Sequence, residues 1–242
     1  MFILIFVLFP IAYIIFMAVR IARAISVMKA AAAKTKPYVR EVANLESRIL
    51  VIGDSSMYSA GVKNPANSGG GLLAAKYPRA SVETVAFNGA KVRDLNRQFR
   101  RASHEKYELI IIGVGANDIV RFSNYAKLRR ELEAFVHKVS GVSRLVVLCH
   151  SVNIGNIGFF LFPMNYLFAY RSRKLSQLFS AVSNEFPNVE DAIFYRPLRR
   201  DHYDKRSRGQ FVAADGFHAT DYANRYFFKF ICQAIRKNQK IS

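Results

Sequence analysis

The 242-residue sequence has two cysteines, no tryptophan and few acids. Cys149 and Cys232 fall in an expected strand and an expected helix, without metal-ligand spacing, so a disulfide framework and a cysteine metal site are both excluded. The expectation is two buried, inert thiols. Acids number 17 against 36 lysines and arginines, giving a net charge of +19 and a pI near 10.2. Such an imbalance favours anionic partners: an acidic lipid surface, nucleic acid or an acidic substrate. No recognised nucleic-acid-binding motif accompanies the charge, so nucleic acid is not expected as a partner. Internal repeats and low-complexity tracts are missing too. A hydrophobic content of 51% with 13% aromatics excludes disorder, and the length suits one sizeable domain with an appendage.

Charge is wholly absent from residues 1–19, an apolar run about as long as the ~20 residues needed to cross a bilayer. Pro10 is tolerable in such a helix. A cleaved signal peptide would want basic residues before its apolar core, and Ala22-Arg23-Ala24 is a poor cleavage site because of its arginine. The expected organisation is therefore a transmembrane anchor over 1–19, a basic juxtamembrane linker over 20–47 and a catalytic-sized domain over 48–242. Arg20, Arg23, Lys29, Lys34, Lys36 and Arg40 are opposed only by Glu41 and Glu46. That flank predicts a cytoplasmic domain by the positive-inside bias and contact with an anionic membrane surface.

From residue 48 onward, short apolar runs alternate with helical patterns, the signature of a parallel sheet covered on both faces. Strands are expected over 48–52, 82–87, 109–113, 144–149 and 189–195. Helices are expected over 72–76, 92–102, 124–139 (with Ser123 as cap), 171–184 and 221–237. The first strand stops abruptly at Gly53-Asp54-Ser55-Ser56, which carries Ser55 beyond the strand's carboxyl end, where ligands of parallel α/β sheets sit.

Three further blocks fall at strand ends or before the last helix. They are Gly89-Ala90-Lys91-Val92-Arg93-Asp94-Leu95, Gly115-Ala116-Asn117-Asp118 and Asp215-Gly216-Phe217-His218. Ester cleavage by serine needs a base at the hydroxyl, a carboxylate to orient it and donors for the oxyanion. His218 can serve as base and Asp215 as its orienting carboxylate. The N–H groups of Ser55 and Gly89 and the side-chain amide of Asn117 can serve as donors. Taken singly, each block also reads as an ordinary turn or helix cap.

Taken together and in this order, the blocks resemble those of SGNH/GDSL hydrolases, over residues 48 to 242. The resemblance implies a flavodoxin-like three-layer sandwich with a five-stranded parallel sheet in the order 2-1-3-4-5, and metal-free, cofactor-free hydrolysis of ester or thioester bonds. It makes Ser55, Asp215 and His218 the triad and Ser55, Gly89 and Asn117 the oxyanion hole. The anchored, basic N-terminus resembles that of bacterial members held in the inner membrane; for many of those a periplasmic orientation would suit equally. Ser56 departs from the usual leucine, and the stretch after the fourth strand, His150-Ser151-Val152-Asn153, lacks the prolines often found there.

Residues 157–170 are too apolar for a free loop and too short and interrupted for a second span. One reading is a flap dipping into the bilayer, with Phe159, Phe160, Phe162 and Met164 lining an acyl-binding pocket. The other is packing against the first or last helix. A basic run from Arg196 through Arg199, Arg200, Lys205 and Arg206 to Arg208 could recognise a phosphate head group, face anionic lipid or be solvated. His104, His137, His150 and His202 lack ligand spacing, so no metal is expected. The glycines near 113 and 69–71 lack the third glycine and the Lys-Ser/Thr of nucleotide loops. The expected activity is a serine esterase or lipase acting on lipid-like acyl esters. A carbohydrate O-acetylesterase and a catalytically idle membrane scaffold remain as alternatives.

Overall fold

The computed structural model describes residues 2–32, 35–197 and 210–239; for residues 2–9, 24–25, 28–32 and 239 it describes the backbone alone. Helix α1 (Phe2–Ala32) precedes five strands: β1 (Ser47–Gly53), β2 (Ala80–Ala86), β3 (Tyr107–Gly113), β4 (Ser143–Cys149) and β5 (Val189–Ala192). The strands form one parallel sheet in the order β2-β1-β3-β4-β5. Between and after them run α2 (Gly69–Lys76), α3 (Leu95–Phe99), α4 (Ala116–Val120), α5 (Tyr125–Ser140), α6 (Met164–Ser183) and α7 (Asp221–Gln239).

Alternation along the strands divides the apolar residues between two layers. Leu50, Ile52, Ile110, Ile112, Val146 and Leu148 face α5 and α6, while Ile49, Val51, Leu109, Ile111, Leu145 and Val147 face α2 and α7. Fully burying each such side chain stabilises the fold by roughly 1.5–3 kcal/mol, enough for this double core to fix the sheet's register. In that register Gly53 is level with Ala86 and Gly113, and Gly113 with Cys149. Four strands thus end in a row, and the loops after them emerge side by side.

Local chemistry moves several expected boundaries. Helix α2 begins at Gly69 rather than at 72, because Ser68 caps it by accepting from the Gly71 N–H. A side chain at Gly71 would fall 2.5 Å from the carbonyl oxygens of Pro65 and Ala66, so the helix needs glycine there. The helix expected over 92–102 is a 3-10 turn, Val92–Asp94, followed by the short α3. The cap of α5 is Asn124, which accepts from the Lys127 N–H, and not Ser123. Helix α6 starts at Met164, so half of the apolar segment is helical. Strand β5 ends at Ala192 rather than at 195.

The latter part of α1 docks on the domain. Met17 is buried in the α5/α6 layer, the Tyr13 hydroxyl donates to the Leu161 carbonyl at 3.2 Å, and Arg20 Nε donates to the Phe159 carbonyl at 2.9 Å. Among the described residues, no helix is long and apolar enough to cross a membrane. The anchor expected over 1–19 falls partly outside the described side chains. Within the linker, Arg40 forms an antiparallel bridge to Val82 on the outer side of β2, and its guanidinium donates to the carbonyls of Ala74, Tyr77 and Ala80.

Candidate active site

The site begins at a point of close backbone approach. Gly53 has φ +148°, and a Cβ there would lie 1.9 Å from the Gly113 carbonyl oxygen, so any other residue would collide with β3. Its backbone is gripped by Gln98, fully buried on α3. The Gly53 N–H donates to Gln98 Oε1 at 2.8 Å, and Gln98 Nε2 donates to the Gly53 carbonyl at 2.7 Å. Immediately beyond, Asp54 Oδ1 accepts from the Ser56 N–H at 2.9 Å and from the Ser56 hydroxyl at 2.7 Å. Burial pushes the Asp54 carboxyl up, against the opposing pull of the Ser56 bonds. These contacts set the turn that presents Ser55.

His218 reaches Ser55 from the turn before α7. Its Nε2 lies 2.8 Å from Ser55 Oγ, and its Nδ1 lies 2.6 Å from Asp215 Oδ2. Asp215 Oδ1 accepts from the N–H groups of Phe217 and His218, each at 2.9 Å. Burial pushes the Asp215 carboxyl up, but the His218 ring and the two N–H donors outweigh it and hold the group at about 2. Asp215 is thus a fixed anion that orients the imidazole. The turn is held by Gly216 at φ +75° and by the Ala213 N–H donating to the His218 carbonyl at 2.8 Å. Gly61, at φ +84°, lets the serine segment pass beneath it: a Cβ would lie 2.7 Å from that of His218.

Gly89 sits on the loop after β2 and Asn117 at the start of the helix that follows β3, on either side of the β1 exit. Gly89 has φ +78°, and Asn117 is half-buried in the first turn of α4, its side chain without a hydrogen bond among the described residues. Asp118 joins the two loops, since its Oδ2 accepts from the Val92 N–H at 3.0 Å and its Oδ1 from the Ser123 hydroxyl at 2.7 Å. Arg171 locks the far end of α4 by donating to the carbonyls of Ile119, Asp118 and Ser123.

Beside Ser55 and His218 opens a largely apolar cavity of about 120 Å³. Its walls include Met57, Ile154, Phe194, Phe217, Phe227 and Ile231. The four residues expected to line an acyl pocket do not line this cavity. Phe159 packs edge-on against Phe160 and Phe217, Phe160 stacks on Phe168, Met164 is half-buried, and Phe162 is 74% exposed. The cause is the turn after β4. Asn153 and Asn156 donate to the carbonyls of Arg196 and Pro197, which turns Ile154 and Ile157 toward the site and sends the later aromatics toward α1 and α6.

His150, where the usual prolines are missing, is buried in the cavity wall with Nδ1 2.7 Å from the Ser176 hydroxyl and Nε2 3.4 Å from Asp191. Of the basic run, Arg196 lies over the Phe230 ring at 4.8 Å, while Arg199, Arg200, Lys205, Arg206 and Arg208 lie outside the described residues. Gln98 and Gly61 were not singled out by sequence. An amide on an amphipathic helix looks like a surface residue, and a glycine in a small-residue turn looks like any other.

Several solved structures share the fold. A lipase/acylhydrolase from Enterococcus faecalis superposes with a TM-score of 0.58 at 20% identity, covering 78% of this chain and 95% of that one. A psychrotrophic esterase from Pseudoalteromonas sp. gives 0.56 at 18% identity, covering 78% and 97%. An acetylxylan esterase from Geobacillus stearothermophilus gives 0.56 at 16% identity, covering 79% and 95%. No curated protein matches the chain in sequence. Residues 51–226, which hold every block at the strand ends, match the family model described as GDSL-like Lipase/Acylhydrolase, and the chain belongs to that family of ester-cleaving serine hydrolases.

Proposed function

We propose that the protein hydrolyses acyl esters through an acyl-enzyme on Ser55, with His218 as general base and Asp215 as its orienting anion. The observation that carries this reading is the 2.8 Å approach of His218 Nε2 to Ser55 Oγ. His218 takes the hydroxyl proton as Oγ bonds to the carbonyl carbon, and the carbonyl electrons move to oxygen. The N–H groups of Ser55 and Gly89 and the Asn117 amide receive that oxyanion. Its collapse breaks the bond to the alcohol, which leaves with the proton held by His218. Water then attacks the acyl-enzyme, giving its proton to His218, and the free acid departs as that proton returns to Ser55.

The preferred substrate is lipid-like. A cavity of about 120 Å³ exceeds what an acetyl group fills, since one of ~150 Å³ accepts benzene. An acyl chain of several carbons suits it better than a carbohydrate O-acetyl group does.

A membrane tether through α1 belongs to the same reading, with the domain on the cytoplasmic side by the basic flank. Ile11, Ile14, Ile15, Phe16 and Val19 of α1 are exposed, as are Phe162 and Tyr166 of the segment that α1 contacts. Exposed apolar side chains on these two touching segments suit a bilayer.

Labelling by a fluorophosphonate probe with and without Ser55→Ala, followed by an acyl-length panel, tests the chemistry. Absence of labelling in the native chain would leave an idle scaffold as the better account.

A further inference from the structure

The two flanks of Ser55 differ in character. On the β4 and α7 side lies the apolar cavity. On the β2 side, the exit loop carries Gly89, and beside it stands the guanidinium of Arg121, whose Nη2 lies 3.1 Å from where a Cβ on Gly89 would be. Arg121 is exposed, and its guanidinium has no hydrogen-bond or ion-pair partner among the described residues. The end of α4 does not require this cation, because Arg171 already satisfies carbonyls there. The surroundings are cationic too. Arg97 and Arg101 lie over the Phe87 ring at 5.0 and 4.9 Å, and Lys91 Nζ donates to the Ser123 hydroxyl at 3.2 Å.

The nearby acids are already engaged. Asp94 accepts from the Lys91 N–H and pairs with Arg97, and Asp118 is buried between the two loops. A free guanidinium beside the Gly89 loop, with the neighbouring acids already engaged, is a site for an anion supplied by a ligand. The backbone N–H of Arg121 donates to the Asn117 carbonyl at 3.0 Å, so this cation is tied to the same helical turn as Asn117.

We propose that Arg121 is a specificity-determining residue, which draws an anionic group on the alcohol part of the ester to the Gly89 side of the cleft. The substrate class is then an acyl ester whose alcohol carries a phosphate or carboxylate, with the acyl chain in the apolar cavity opposite. This inference rests on the esterase reading for the position of the scissile bond.

The test compares soluble hexanoylglycerol with hexanoylglycerol phosphate, both below their micellar concentrations, and with a hexanoyl ester of a hydroxycarboxylic acid. In the native chain kcat/KM should favour the two anionic esters. Arg121→Gln should lower that preference roughly tenfold, the scale of one lost charge-assisted hydrogen bond, and Arg121→Lys should restore part of it. Arg130→Gln, at an exposed arginine of α5 away from the cleft, should leave the preference as it is. An unchanged preference in Arg121→Gln overturns the proposal. So does an effect seen only when neutral ester is presented on phosphatidylglycerol vesicles, which would make Arg121 a surface-attraction residue. A thermal-shift titration with glycerol phosphate reads the anion site without turnover. Failure of all ester hydrolysis would therefore count against the esterase reading, while the titration decides this one.

Discussion

Gln98 holds both backbone polar groups of Gly53, donating to its carbonyl at 2.7 Å and accepting from its N–H at 2.8 Å. The strand end one residue before Asp54 and two before Ser55 is thereby fixed by a side chain from a helix. Gln98→Leu keeps much of the volume but strands both groups in a dry interior. Stability measured by denaturant should fall by about 1–3 kcal/mol. Turnover of a simple ester should fall as well, because the turn bearing Ser55 loses its anchor. A variant with native stability and turnover would show that the grip is dispensable.

Removing members of the Ser55–His218–Asp215 chain should give graded losses. Ser55→Ala should abolish covalent probe labelling. Asp215→Asn should retain the fold yet lower kcat by roughly 10³–10⁴, since the imidazole loses its orienting anion. Single-turnover kinetics on a nitrophenyl ester would measure both.

The Asp215 carboxyl is held at about 2 against an ordinary 3.8. A depressed carboxylate contributes stability that is fully present above its unfolded value and is lost as pH falls through its folded value. Native protein should therefore be more stable than Asp215→Asn at pH 6, and the gap should close between about pH 4 and 2. Thermal unfolding across that range checks it. A gap that instead widens on acidification would contradict the assignment.

Within the aromatic segment, exposed and buried side chains should behave differently. Phe162 at 74% exposure can be replaced by serine at little cost to folding, and that change should weaken liposome binding. Phe160, 5% exposed and stacked on Phe168, is core. Its replacement by alanine should cost about 3–5 kcal/mol, so a binding defect in that variant would not report on the membrane. Co-sedimentation with anionic vesicles alongside denaturant melts separates the two effects.

The parts of the candidate site named from the sequence are those where backbone and side-chain demands coincide. Ser55, Gly89, Asn117 and Asp215 with His218 each stand in a block of small or turn-forming residues beside a strand end or before the last helix, and strand alternation identified the sheet. What escaped depends on tertiary contact. The onset of α6 at Met164 was hidden because an unbroken apolar run has no helical period. Asn124 displaced Ser123 as cap because the Ser123 hydroxyl is committed to Asp118. The cavity wall from Phe194, Phe227 and Ile231 comes from elements joined only in the folded chain.

The antiparallel bridge between Arg40 and Val82 has a consequence for handling the protein. A chain trimmed to begin after residue 42 would keep every candidate catalytic group, yet leave the N–H and carbonyl of Val82 and the carbonyl of Ala80 without these partners on the outer edge of β2. Such a border invites strands from other molecules. The shortened protein should remain active when dilute and should self-associate as its concentration rises.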